Sequence, residues 1–298
     1  MSIRDSIRAL HEITSHPLNA RRPLRSVVNY LRWNVGRRLL QVDCILPLVD
    51  RAFIVVSNRE NFATLAYTCT LWDFEEMVFL THLLRPDDLF LDIGANVGGY
   101  TVLASAVAGA RSLAFEPVPT THEALLRNIR ANGIQDLARG MQIGIGDVDQ
   151  TLSMTADRGG LNAVVSEGWV GATVEVPVRR LDDVVAGEPC RLIKLDIEGF
   201  EMNALRGGPQ TFGNPNLLAL IVELNGSGER YGNSDDAVHA EILRYGFAPY
   251  RYDPTARRLS PIRSYNRQSL NTLYVRDLNA TEQIVASARK IRVRGADF

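Results

Sequence analysis

The chain has 298 residues, a net charge of −1, 22% charged and 46% hydrophobic residues. That composition suits a folded chain with a large core and excludes a disordered or collagen-like one. The balanced charge excludes the global basic field of a nucleic-acid binder, and three cysteines with no C-x-x-C exclude a disulfide framework.

The first 16 residues are charged throughout and hold no apolar run, so no secretory signal is expected. Residues 1–50 form an Arg-rich arm with 8 arginines against 4 acids. Within 24–40, Leu24, Val27, Val28, Leu31, Val35 and Leu39 recur at helical spacing. The favoured expectation is a helix docked on the body with its arginines in water. Contact with anionic lipid or an acidic substrate is the less favoured reading. Residues 51–86 form an extension: a β-pair from AFIVVS (52–57) and FATLAYTCT (62–70) around a turn at 58–61, then a helix over 72–84 stopped by Pro86.

From residue 87 strands and helices alternate. LFLDI (89–93) is strand one and 98–109 a helix; RSLAFEP (111–117) is strand two and 118–132 a helix. GMQIGIG (140–146) is strand three, with extended pieces at 151–156 and 172–181 separated by a glycine loop at 159–171. RLIKLDI (191–197) is strand four, 200–208 a short helix, LLALIVELN (217–225) strand five and 235–246 a helix. FAPYRYD (247–253) and NTLYVRD (271–277) close the chain as a hairpin with an antiparallel member. Short apolar strands alternating with helices predict an α/β fold with a doubly wound, mostly parallel sheet over 87–298. The longest uncharged run, 93–110, carries Tyr100, Thr101 and Ser105 behind a glycine turn. It reads as a buried strand-loop-helix rather than a membrane span, so a cytoplasmic protein is expected.

Chemistry concentrates at the strand ends. In LFLDIGANVGGYT, a strand enters a glycine turn that opens a helix, with Gly94, Ala95, Asn96 and Gly98 in the turn. A dinucleotide fingerprint needs G-x-G-x-x-G. Here Asn96 replaces the second glycine, and Asp92 precedes the first. An acid there repels a pyrophosphate but suits a cationic ligand such as S-adenosylmethionine (SAM), which carries a sulfonium and an ammonium. Glu116 lies 22 residues after Gly94, where an acid binds ribose hydroxyls in such sheets. Asp147, after strand three, is a candidate for the adenine rim.

LIKLDIEGFE (192–201) places Lys194 and Asp196 on one face of a strand that should be apolar, and burying unpaired charge is costly. Only Lys194 and Lys290 among the 33 basic residues are lysines. Asp196 and Glu198 read as a reaction-site group at the sheet's carboxyl edge, with Lys194 as charge partner. Glu223 and Asn225 end strand five facing the same edge. Mg²⁺ accepts such oxygen ligands, but a metal-free set is preferred because no dense carboxylate group is visible. The histidines (11, 16, 82, 122 and 239) show neither metal nor triad spacing.

FLDIGANVGGYT, AFEPVP, LIKLDIEGFE, IVELN and NTLYVRD, in that order, resemble the FkbM family of SAM-dependent methyltransferases over about residues 70–277. The resemblance implies a class I methyltransferase sheet of order 3-2-1-4-5-7-6. It implies SAM held by Asp92, Gly94, Asn96, Gly98 and Glu116, and O-methylation, often of sugars or natural products. It also carries over an acidic position in the helix before strand one, here Glu75. A carboxylate at the strand ends would take the acceptor's proton: Asp196 or Glu198, with Glu223 and Asn225 orienting the acceptor. The rival readings are an NAD(P)-linked oxidoreductase and a SAM-fold partner protein without catalysis.

Overall fold

Strands covered by helices on both faces have no polar side, so any charge they carry must be satisfied inside the protein. That condition organises the structure, a computed structural model that describes residues 3–20, 22–40, 42–57, 61–156, 162–165, 169–267 and 269–298. The chain divides into two units, Met1–Phe74 with Lys290–Phe298, and Glu75–Arg289. This division differs from the segments 1–50, 51–86 and 87–298 that the sequence suggested.

The first unit contains α1 (Ile3–Ser15), α2 (Pro23–Leu39), β1 (Asp43–Pro47), β2 (Phe53–Ser57) and α3 (Asn61–Cys69). Two expectations need correction here. β2 pairs antiparallel with β1, Asp43 opposite Ser57, and not with the segment that follows it. That segment is helical because Ala63, Ala66 and Cys69 bury at three-residue spacing, which a strand cannot place on one face. Residues 58–60 of the expected turn lie outside the described residues. The second correction concerns α2. Its buried residues are Ser26, Tyr30 and Trp33; of the stripe expected to dock, Val27 is half-buried while Leu24, Val28, Leu31, Val35 and Leu39 lie in solvent. Tyr30 clusters with Ile13 and Cys69. The Trp33 indole N–H donates to Thr64 Oγ1 at 3.0 Å and its ring stacks on Tyr67. The two aromatic rings take the inner face of the helix.

The second unit follows α4 (Phe74–Leu83) with β3 (Leu89–Ile93), α5 (Gly99–Val102), β4 (Arg111–Phe115), α6 (Pro119–Ala131), β5 (Ala138–Met141), β6 (Gly144–Gly146), β7 (Gln150–Thr155), β8 (Thr173–Arg180) and α7 (Leu181–Val185). A π-type turn at Leu103–Val107 extends α5. Then come β9 (Leu192–Leu195), α8 (Glu201–Gly207), α9 (Pro209–Gly213), β10 (Ala219–Glu223), α10 (Asp235–Arg244), β11 (Ala248–Asp253), β12 (Arg258–Pro261), β13 (Asn271–Val275) and α11 (Leu278–Ala286). The short hairpin of β14 (Arg292–Val293) and β15 (Ala296–Asp297) belongs to the first unit.

The main sheet runs β12-β11-β13-β10-β9-β3-β4-β5. With its strands counted in chain order and β12 set aside as an added edge, this is the expected order 3-2-1-4-5-7-6. β3, β4, β5, β9 and β10 are parallel, and β13 is antiparallel to both neighbours. The expected strand three is two strands: β5 stays in the main sheet, while β6 joins β7 and β8 in a separate three-stranded sheet. Register sets Lys194 beside Asp92 on β3 and beside Ile221 on β10, and Glu223 opposite Asn271. No helix among the described residues is long and apolar enough to cross a membrane.

Candidate active site

The turn after β3 is shaped by close backbone approach. Gly94 has φ +84°, and a Cβ there would lie 1.8 Å from the Asp196 carbonyl oxygen. Gly94 and Ala95 N–H groups both donate to Phe115 O at 3.0 Å, which stitches the turn to β4. Asn96 sits at φ +50°, and its N–H donates to Glu116 Oε2 at 3.0 Å. The other Glu116 oxygen accepts from Val118 N at 3.0 Å. Gly98 caps α5. Asn128 of α6, which the sequence reading missed, donates to Val97 O at 2.8 Å and holds the turn from behind.

Asp92 departs from expectation. It is buried, and its Oδ2 accepts from Thr101 N at 3.0 Å and Thr101 Oγ1 at 2.6 Å. It does not line the crevice above the turn, and its contacts brace the loop and the first turn of α5. Burial pushes its carboxyl up to about 6, against the Thr101 hydrogen bonds and the Lys194 charge. Burial likewise pushes Glu116 up to about 7.

An open crevice lies over the carboxyl ends of the strands, where ligands sit in open α/β sheets. Its polar lining includes Gly94, Asn96, Glu116, Asp196 and Glu198. Its apolar lining includes Ile145 of β6, Leu152 and Met154 of β7, Val178 of β8, and Val164. The separate three-stranded sheet thus walls the crevice, a role that its sequence did not announce. Asn96 Oδ1 is buried without a hydrogen-bond partner. An orphaned acceptor in a lined crevice is the mark of a missing donor. A nucleoside of adenine size, with an amine to offer and an apolar face to bury, fits this lining.

Beside the crevice, the strand ends bring charges together. Lys194 is 2% exposed, and its Nζ donates to Asp196 Oδ2 and to Asn271 Oδ1, both at 3.0 Å. Asn271, another residue missed in the sequence, comes from β13, far along the chain. Burial alone would raise the Asp196 carboxyl; the Lys194 ammonium, a hydrogen bond from Glu223 and the Lys194 hydrogen bond outweigh it and hold Asp196 below the usual range. Glu223 goes the other way: burial, then the Asp196 charge, push its carboxyl well above the usual range. Two adjacent carboxyls thus share the work of one anion and one acid. Burial and then the Asp196 charge also raise Glu198.

Glu198 occupies φ +53° and Gly199 φ +102°; a Cβ at Gly199 would meet the Ser227 carbonyl at 2.6 Å. Glu201, not singled out before, accepts from Ile197 N at 3.2 Å and Gly199 N at 3.1 Å and fixes this loop. Asn225 Nδ2 donates to Glu223 Oε2 at 3.2 Å, so the pair does face one edge. Asp196, Glu198 and Glu223 offer oxygens within 4.8 Å of one another, a set able to hold a cation and denser than the sequence suggested. Lys194 already supplies a positive charge there.

Two expected site residues lie elsewhere. Asp147 follows β6 but does not line the crevice. Glu75 forms an ion pair with Arg251 of β11 at 3.1 Å, away from the crevice lining. Asp147 is expected from its place after strand three and Glu75 from the family resemblance, and neither reports which way a side chain turns. His239 lies on α10 with Nδ1 2.9 Å from the Tyr274 hydroxyl. Of the glycine loop at 159–171, residues 159–161 and 166–168 lie outside the described residues. Asn162 and Val164 line the crevice, and Tyr231 OH donates to Val164 O at 2.8 Å.

A 3-2-1-4-5-7-6 sheet whose first strand ends in a glycine turn, with acids at the next strand tips, defines the class I methyltransferase fold. Residues 92–249 match the family described as methyltransferase FkbM domain, and the chain belongs to that family. Among curated relatives, it is 29% identical to Methyltransferase 1 of Beauveria bassiana over 41% of this chain and 59% of that protein. It is 31% identical to the hexuronic acid methyltransferase AglP of Haloferax volcanii over 47% of this chain and 56% of that protein. The chain therefore spans under two thirds of the length of these relatives. The crystal structure of methyltransferase FkbM from Methylobacillus flagellatus is 18% identical, with TM-score 0.44, over 71% of this chain and 52% of that one.

Proposed function

We propose that the chain is a SAM-dependent O-methyltransferase acting on a hydroxyl of a saccharide or related polyol. The observation that carries the reading is the Asp196–Glu223–Lys194 set at the rim of a crevice lined by Asn96 and Glu116. When bound, SAM supplies an electrophilic methyl group. The chain's own part is to bind, align and take one proton. The turn at 94–98 and the wall of Leu152, Met154 and Val178 would hold the nucleoside, and Glu116 would accept from ribose hydroxyls. The ionised Asp196 accepts the acceptor hydroxyl's proton as its oxygen becomes the nucleophile, a step that contributes about 10²–10⁴-fold. Alignment of the two reactants contributes on the order of 7–11 kcal/mol. Glu223 stays protonated and hydrogen-bonds Asp196; Lys194 fixes its direction. Asn225, Ser227 and Arg230, polar groups beside Glu198 and Glu223, suit an acceptor rich in hydroxyls. The hexuronic acid relative supports the saccharide class.

Radiolabelled SAM with a panel of hexoses, hexuronic acids and polyols tests this reading. Label on an oxygen of one acceptor is the expected result. SAM binding without transfer to any of them would favour a non-catalytic partner. A site that works without metal predicts that turnover after exhaustive chelation should stay at the untreated level; loss restored by Mg²⁺ would assign the carboxylate cluster to a cation instead.

A further inference from the structure

Helix α2 turns its apolar side to water. Leu24, Val28, Leu31, Val35 and Leu39 are 82%, 45%, 55%, 57% and 76% exposed. They sit at i, i+4, i+7, i+11 and i+15, one continuous stripe along four turns. This is not a loose helix: the opposite face is fixed by Tyr30 and by Trp33, bonded to Thr64 and stacked on Tyr67. At about 100° per residue, Arg25 and Arg32 border the stripe on one side and Arg38 on the other. All three are exposed, and no ion pair to them occurs among the described residues. From residue 13 to residue 42 the chain holds six arginines and no Asp or Glu.

We propose that α2 seats the protein on an anionic lipid surface. The stripe enters the boundary between headgroups and acyl chains, and Arg25, Arg32 and Arg38 meet the headgroup phosphates. Charge selects this occupant over a second copy of the chain, whose α2 would bring the same three arginines against these. Seventeen residues with four arginines cannot span a bilayer, so the helix lies in the plane of the interface.

The test is co-sedimentation of the full chain with phosphatidylcholine vesicles, with and without phosphatidylglycerol. Pelleting is expected only with the anionic lipid and should weaken as salt rises. Each arginine near such a surface is worth about fivefold in partitioning, so Arg25→Gln/Arg32→Gln/Arg38→Gln should lose roughly a hundredfold. Leu31→Glu/Val35→Glu should abolish pelleting while melting like the parent, because both positions are exposed. Absence of pelleting overturns the proposal, as does equal pelleting with both vesicle types. A dimer in light scattering that Leu31→Glu dissolves would assign the stripe to self-association and overturn it equally.

Discussion

Asp196 has a buried ammonium on one side and the raised carboxyl of Glu223 on the other, and its neighbours decide its charge. Asp196→Asn keeps the shape but cannot take a proton. SAM affinity by calorimetry should be unchanged, and turnover should fall about 10²–10⁴-fold. A variant with normal turnover on the true acceptor, beside a dead Glu198→Gln, would move the base to Glu198. Asp92 tests a different idea. Asp92→Ala leaves the Thr101 N–H and hydroxyl without their acceptor at a buried site, a loss of about 1–3 kcal/mol. The expected result is a lower melting temperature together with weaker SAM binding, since the brace and the turn are one structure. Weaker binding at an unchanged melting temperature would return Asp92 to the role of direct counter-ion.

Between elements, the small sheet of β6, β8 and β7 contributes the apolar wall of the crevice. Removing side-chain methylenes from such a pocket costs roughly 10–200-fold in discrimination. Met154→Ala should therefore raise the KM for SAM at least about tenfold with kcat nearly constant. A fall in kcat at constant KM would place Met154 against the acceptor instead. This sheet also shows where sequence reading stopped. GMQIGIG looks like one strand, and only the parallel pairing of Gly144 with Val178 and Gly146 with Arg180 shows that its end belongs to another sheet. FATLAYTC fits strand and helix about equally by composition; burial at 63, 66 and 69 decided for helix.

Across the whole molecule, buried acids dominate the response to pH. Burial raises Asp92 to about 6 and Glu116 and Glu201 to about 7, above their unfolded values. Each therefore binds its proton more tightly when folded, so its contribution is present at low pH and lost as pH rises from about 4 through 7. Asp196, lowered, runs the opposite way and contributes above its unfolded value. Raised Glu198 and Glu223 act in the same direction as these acids, and between pH 5.5 and 8 only the lowered His16 and His239 act against them. With five acids against two histidines, the cofactor-free protein should melt higher near pH 5.5 than near pH 8. Glu201→Gln keeps an acceptor for Ile197 and Gly199 and should narrow that gap. A higher melting temperature at pH 8 in the parent would contradict these raised values.

The sequence by itself determined the parallel sheet, its order of strands and helices, and the acids at its edge. A doubly covered strand must be apolar, so Asp92, Lys194, Asp196 and Glu223 stand out against Leu, Ile and Val. What only the tertiary structure decided is which way those groups look and what they meet. Asp92 turned inward to Thr101, Asn271 arrived from β13 to share Lys194, Asp147 and Glu75 fell outside the crevice, and α2 buried its rings and left its aliphatic stripe in water. The reason is physical: periodicity records which side chains share a face, but the partner that covers that face, and the charge that neutralises a buried group, come from residues far away in the chain.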